Sequence, residues 1–467
     1  MISPKDGTKE KDLFSEETEL KRDLGLLESF SIVISRIIGS GIFRTPQPIM
    51  MAVAAVSLFY GVWILGGIAT LLGAFCYAEL VAMMPKSGGP YAYLKAAYPP
   101  VWTFLRGWAM FFVSETASIV AVALVFAEYS SSLFQLLFGH PIAYPIEILI
   151  AFSIIWLLTM LNCFGVFFSG VLQNIFMFIK LLALGTIISF GFVKAGNMMH
   201  FSSPLWPEQF GWATMLAVGQ AMRYGFFAYS GWEGATYVAE EVKNPRKNLP
   251  LSIILGIVGV MLLYLAANSA YLYQLSPEQI KASPEVATNM MNAVVGTAGG
   301  MFIALAIALN TFGNVNTQIL VKARTWYAMS RDGLFIPVLA KIHPKYRTPN
   351  RAMIAQALWA TVLLMGAAFA GRAYETIIDF FSFTSSIFNV STFAAVFILR
   401  KKYPNAPRPY RVWGYPFTLI IVLIIQLWFM GVTLYTAFVP SLLGMLLTCS
   451  GLIYYYRGKL KLWWQRR

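Results

Sequence analysis

Long apolar runs, each closed by a short polar or Pro/Gly-containing stretch, follow one another along nearly the whole chain. A run of about 20 residues matches the ~30 Å hydrocarbon core of a bilayer at about 1.5 Å per residue, so each is read as a membrane-spanning helix. About twelve are predicted on this ground. The first five cover residues 25–53, 56–84, 102–136, 146–164 and 170–193. After a polar, Pro-containing stretch at 198–209 come 212–240, 251–275, 294–329, 353–370 and 377–399, and two more close the chain at 417–438 and 442–456. Five, five and two is the order expected of inverted repeats, because an odd number of spans per repeat turns the second copy over in the membrane. The organisation predicted is a tail at 1–24, a first repeat at 25–195, an inverted second repeat with its preceding loop at 196–400, two further helices at 401–457, and a tail at 458–467.

The first span of each group is interrupted, by Ile37-Ile38-Gly39-Ser40-Gly41-Ile42-Phe43 and by Phe227-Ala228-Tyr229-Ser230-Gly231-Trp232-Glu233. In hydrocarbon an unwound backbone leaves N–H and C=O groups unpaired, so a break persists only where protein, water or a ligand satisfies them. At the first break, Gly39 and Gly41 permit backbone conformations closed to other residues and Ser40 adds a hydroxyl. The helix that restarts there points its free N–H groups and positive dipole end into the gap, which suits a carboxylate. At the second, the orphan carbonyls of a half-helix ending near Phe227, Ala228 and Ser230 suit an ammonium. Together they complement the headgroup of an α-amino acid. Taken alone, the Gly-x-Gly element is equally a packing contact between helices. Phe227, Tyr229 and Trp232 are read as a gate or a side-chain pocket, with ordinary helix packing as the alternative, and only Phe227 is favoured as the gate. Prolines 245 and 250, which follow the sixth span, are expected to stop its helix.

Composition strengthens the membrane reading: of 467 residues 58% are hydrophobic and only 12% charged, against about a quarter charged in soluble domains. The formal charge of +14 does not indicate nucleic acid, because the basic residues sit in particular loops rather than on one face or in a separate domain. One set of loops and termini holds Lys5, Lys9, Lys11, Lys21, Arg22, Lys86, Lys243, Arg246, Lys247, Arg331, Lys341, Lys345, Arg347, Arg400, Lys401, Lys402, Arg408 and Arg411, while the other set holds only Lys194, Lys281 and Arg372. By the positive-inside rule both termini are cytoplasmic, in a multi-pass protein of the cell membrane. Residues 1–20 have no apolar stretch of the signal-peptide kind and read as a disordered or surface-lying tail. Cys76, Cys163 and Cys449 lie within apolar spans and imply no disulfide framework. His140, His200 and His343 fall in loops, and no His or Cys motif suggests a metal, a cofactor or an embedded enzyme.

The same segments resemble a known family. Ile38-Gly39-Ser40-Gly41-Ile42-Phe43, Cys76-Tyr77-Ala78-Glu79-Leu80, the turn Pro85-Lys86-Ser87-Gly88-Gly89-Pro90-Tyr91 and Phe227-Ala228-Tyr229-Ser230-Gly231-Trp232 occur in this order. They continue with Glu240-Glu241-Val242-Lys243-Asn244-Pro245, Tyr327-Ala328-Met329-Ser330-Arg331-Asp332-Gly333 and the stretch from Leu399 to Tyr410. The sequence resembles the amino acid/polyamine/organocation superfamily, and within it the L-amino-acid transporter family of exchangers. The resemblance implies an all-α polytopic membrane protein with a LeuT-like 5+5 inverted repeat plus two C-terminal helices. It implies a sodium-independent amino acid exchanger working by alternating access, with a proton-coupled amino acid or polyamine symporter or a non-transporting receptor as the alternatives. It further implies that the substrate carboxylate meets N–H groups around Ser40 and Gly41, and the ammonium the carbonyls of Ile38, Phe227 and Ser230.

Charges inside the spans are costly and mark polar interior. By the resemblance, Lys180 stands where sodium-independent members carry a lysine in place of a sodium ion, as a bridge between the first and eighth helices, a proton carrier or a fixed tether. Arg36, Glu79, Glu115, Glu128, Arg223 and Glu233 are the other intramembrane charges noted. Their opposite signs suggest internal pairing. Glu115 and Glu233 would favour a cationic substrate side chain, whereas Arg36 and Arg223, just before the breaks, would oppose it or neutralise the glutamates. The substrate's charge stays open at this point. Animal members of the family join a glycoprotein heavy chain through a cysteine between the third and fourth spans. The corresponding stretch here, 138–144, has none, so no disulfide-linked heavy chain is expected.

Overall fold

A computed structural model of the protein describes residue 14 and residues 22–86, 89–165, 170–202 and 204–465, with the side chains of 170–174 and 458–465 outside the description. Most of the tail read at 1–24, and Ser87 and Gly88 of the Pro85–Tyr91 turn, lie outside the described residues. The described residues are helical apart from loops and one isolated bridge between Leu24 and Val242. Among the described residues, eleven helical segments are long and apolar enough to cross a membrane. The twelfth expected span, 212–240, misses that length because its break divides it: α-helix covers only Trp212–Ala228, and a tighter 3-10 segment follows over Trp232–Glu241.

The first span is divided in the same way, into α1 (Leu26–Ile37), a single turn α2 (Gly41–Arg44) and α3 (Pro46–Val53). Then come α4 (Val56–Met83), the short α5 (Pro90–Ala97), and a third span made of α6 (Pro100–Ala109), a π-helical turn (Met110–Ser114) and α7 (Glu115–Phe138). The fourth and fifth are α8 (Tyr144–Cys163) and α9 (Gly170–Val193). The second group opens with α10 (Trp212–Ala228) and its 3-10 continuation, followed by α11 (Pro245–Gln274). Two short helices, α12 (Pro277–Ala282) and α13 (Val286–Val295), precede α14 (Thr297–Arg331), α15 (Asn350–Ala368) and α16 (Ala373–Lys402). The chain closes with α17 (Phe417–Thr436) and α18 (Phe438–Gln465), so α-helix continues into the stretch read as a tail from 458.

Two sequence expectations change. Prolines 245 and 250 do not end the sixth span; α11 starts at Pro245, six residues earlier than expected, and Pro250 lies within it. A first-turn proline costs little because its missing N–H would have had no intrahelical partner. The π-turn before Glu115 was unforeseen. It inserts extra backbone in the middle of the third span, where Thr116 returns its hydroxyl to the Phe111 carbonyl at 2.7 Å, and such bulges often sit at functional sites.

The breaks themselves are buried, over residues 37–46 and 227–229. α11 packs on both α4 and α1, α7 on α14, and α17 and α18 lie outside against α16. At the end where the first span begins, Leu24 N–H donates to the Glu241 carbonyl at 3.1 Å and Lys243 N–H to the Leu24 carbonyl at 2.7 Å. The half-segments of the two broken spans at that end are thus tied directly to each other.

Candidate functional site

At the first break the helix stops because Ile38 turns out of it, at φ −70° and ψ 85°, and Gly39 N–H bends back to the Ile37 carbonyl at 2.7 Å. Helix resumes at Gly41, so the first N–H groups of α2 have no acceptor within their own helix. The buried Ser40 hydroxyl has no hydrogen-bond partner among the described residues either. At the second break Ser230 folds back on Phe227, its N–H and hydroxyl donating to that carbonyl at 3.1 and 2.7 Å. Gly231 follows with φ +97°, a left-handed conformation that favours glycine, and a Cβ there would lie 2.8 Å from the Arg36 carbonyl oxygen.

Two contacts hold the two breaks against each other, and a third anchors the first break to the fifth span. Gly41 lies so close to Ala228 that an added Cβ would stand 2.5 Å from the Ala228 Cα. The fully buried Tyr264 of α11 shares its hydroxyl between the Ile37 carbonyl at 3.0 Å and the Ala228 carbonyl at 3.1 Å, bridging the ends of both half-helices. Lys180 of α9 donates to the Ser35 carbonyl at 2.7 Å, one turn before the first break, and no carboxylate is in ion-pair range of it among the described residues. The Tyr264 bridge was not visible in the sequence, since nothing in an apolar run marks one tyrosine as facing two opened carbonyls.

The breaks border a cavity of about 780 Å3. Gly39, Ser40, Gly41, Phe227, Ser230, Trp232, Glu233, Glu115 and Lys180 all line it. Ile38 and Ala228 stand behind this lining, both buried. Trp232 is a wall, set edge-on against Tyr77 with ring centres 4.5 Å apart. Phe227 lines it too, its ring 6.1 Å from that of Tyr374 and 6.0 Å from that of Phe381.

Four of the six intramembrane charges form ion pairs, each with a residue outside the six. Glu115 meets Lys322 at 2.9 Å, Arg223 meets Asp379 at 2.7 Å, Glu128 meets Arg44 at 2.6 Å and Glu79 meets Arg400 at 2.6 Å. Arg36 instead lies 5.5 Å from the Tyr237 ring centre. The ion-pair partner of Glu115 is thus Lys322 rather than Arg36 or Arg223. One missed element had a signal: Asn310, Asn314, Gln318 and Lys322 recur every four residues along α14 and all line the cavity. That spacing makes a polar stripe on an otherwise apolar helix. It is internally bonded, with Gln318 donating to Asn314 at 3.0 Å and Lys322 to Gln318.

A family model described as amino acid permease matches residues 24–456. The chain belongs to the amino acid permease family. This permease is 34% identical to the large neutral amino acids transporter small subunit 2 of Mus musculus, over 96% of its own length and 82% of the relative's. It is 30% identical to the b(0,+)-type amino acid transporter 1 of Mus musculus, over 94% and 88%, and 34% identical to the Asc-type amino acid transporter 1 of the same species, over 85% and 74%. The permease is thus a multi-pass membrane transporter of the amino acid/polyamine/organocation superfamily with L-amino-acid transporters among its relatives, and not an enzyme.

Proposed function

We propose that this permease is a sodium-independent amino acid exchanger that works by alternating access around the two breaks, with both termini in the cytoplasm. The observation that carries the reading is the juxtaposition of the breaks: unpaired N–H donors at Ser40 and Gly41 on one side, and carbonyls of the half-helix ending at Ala228 on the other, closed together at Gly41 and Ala228. Donors and acceptors so placed complement a carboxylate and an ammonium on one carbon. The Ser230 bonds leave the Phe227 carbonyl already engaged twice, so the Ile38 and Ser230 carbonyls are the stronger acceptors for the ammonium. Lys180 of α9 sets an ammonium against the first span beside the break, which supports independence from sodium. An uncharged substrate side chain is favoured, because Lys322 already neutralises Glu115, and Asp379 neutralises Arg223. Absence of cysteine from the 138–144 stretch, burial of Cys76 and Cys163, and the place of the exposed Cys449 inside the last apolar helix support action without a disulfide-linked partner.

Purified protein in liposomes tests this directly. Uptake of labelled amino acid should require amino acid inside and be the same in sodium and in choline buffers. Full uptake into empty liposomes would sink exchange. Because Lys180 has no acidic partner among the described residues, proton-coupled symport is the second reading, and uptake into empty liposomes driven by an inward proton gradient would establish it. Ligand-stabilised melting without any flux would instead indicate a receptor.

A further inference from the structure

Behind Phe227, on the Tyr374 ring that packs against it, lies a cluster of buried charge. Arg44, the last residue of α2, is 4% exposed. Its Nε and Nη2 donate to Glu128 of α7 at 2.6 and 3.1 Å, Nη2 also donates to Glu375 of α16 at 2.9 Å, and Nη1 donates to Gln47 at 2.9 Å. The guanidinium lies 4.4 Å from the centre of the Tyr374 ring, the same ring that packs on Phe227. Gln47 continues to the Lys281 carbonyl of α12 at 3.2 Å. One side chain on the broken first span is therefore fastened directly to two other spans and through Gln47 to α12, and neither it nor its two carboxylates lines the cavity.

Holding helices together does not call for this arrangement. Apolar side chains of similar volume would fill the space without desolvating three charges, and buried ion pairs seldom add net stability. A layer of fixed charge has one property that an apolar plug lacks: when the seam opens, water repays the desolvation of every group in it. It also joins parts that alternating access must separate, since Arg44 stands one turn beyond Gly41 on the first span while Glu128 and Glu375 belong to the third and tenth. We propose that Arg44, Glu128 and Glu375 form a lock that keeps the cavity closed on the face opposite the N-terminal segment and breaks once in each transport cycle. This rests on the alternating-access reading but not on the identity of the substrate.

The test is the accessibility of the cavity from each face. Ser118 of α7 lines it, so S118C in a C449S background, with Cys76 and Cys163 buried, is labelled by a membrane-impermeant thiol reagent applied to one face at a time. A minor conformer is commonly about 0.1–10% populated, which leaves room for R44Q to speed labelling from the face opposite the N-terminus by about tenfold. Labelling from the other face should slow, and R44K, a point charge without the fork, should lie between R44Q and the parent. Unchanged rates in R44Q, or faster labelling from both faces, overturn the lock. E375Q keeps the Arg44–Glu128 fork and decides the matter if R44Q does not fold; an unchanged rate there overturns it too. Labelling needs no amino acid, so faster labelling together with absent exchange would leave the lock standing and remove the exchange reading.

Discussion

Gly41→Ala is the smallest change that tests whether the two breaks form one site. The added Cβ would stand 2.5 Å from the Ala228 Cα, 2.9 Å from its Cβ and 3.4 Å from its backbone nitrogen. Carbon atoms in contact settle at about 3.5–4.0 Å, so the two segments must part by roughly 1 Å. Neither can yield by rotating a side chain, because the obstacle is mainly backbone. Overpacking of this kind costs about 1–3 kcal/mol, and a displacement of about 1 Å in preorganised groups lowers rates by on the order of 10²-fold. Exchange by G41A in proteoliposomes should therefore fall by about that factor, with the amino-acid-induced rise in melting temperature reduced alongside it. Gly41→Val should abolish both. Gly61→Ala is the control: it lies in α4, an added methyl meets nothing within 4 Å, and alanine is the better helix former, so flux and melting should match the parent or improve. A G41A protein with the parent's KM, maximal rate and ligand-induced melting shift would refute the reasoning, because the donors and acceptors would then not need their close approach.

Tyr264→Phe removes the hydroxyl shared by the Ile37 and Ala228 carbonyls; it should lower stability by about 1–3 kcal/mol and slow exchange, measured by melting and by flux. Lys180→Met deletes the bond to the Ser35 carbonyl, a charged hydrogen bond worth about 1.5–3 kcal/mol. Flux should be lost and not restored by sodium, and parental flux would leave Lys180 a bystander. Lys322→Met strands the Glu115 carboxylate and should melt lower than the double variant K322M/E115Q. A double-mutant cycle should return a coupling of at least ~1 kcal/mol, and additivity would show that the pair contributes nothing.

Much of this protein was legible in the order of its residues. Membrane spans are local facts: the bilayer admits little but continuous helix, so about 20 apolar residues in a row have one outcome. The two breaks were legible for the same reason, since Gly39-Ser40-Gly41 and Ser230-Gly231 inside apolar runs are the places where helix can fail. So was the polar space around Glu115, Glu233 and Lys180. What could not be read were partners. Glu115 was visible as a costly charge, but its mate, Lys322, is more than two hundred residues away. Arg44 stands immediately after the Gly39–Phe43 motif and gained no weight from the sequence, because its meaning lies in Glu128 and Glu375, brought to it by other helices. The prolines at 245 and 250 show the local limit of such reading: a proline ends one helix or begins the next, and only the backbone before it decides which.

The sequence by itself determined that the chain crosses the membrane many times, where its helices break, and what kind of headgroup such breaks suit, because each of these follows from local backbone energetics in hydrocarbon. Only the tertiary structure decided that Gly41 abuts Ala228, that one tyrosine hydroxyl serves both opened helices, and which charge answers which. Those are distances between segments far apart in sequence, set by how the whole bundle packs.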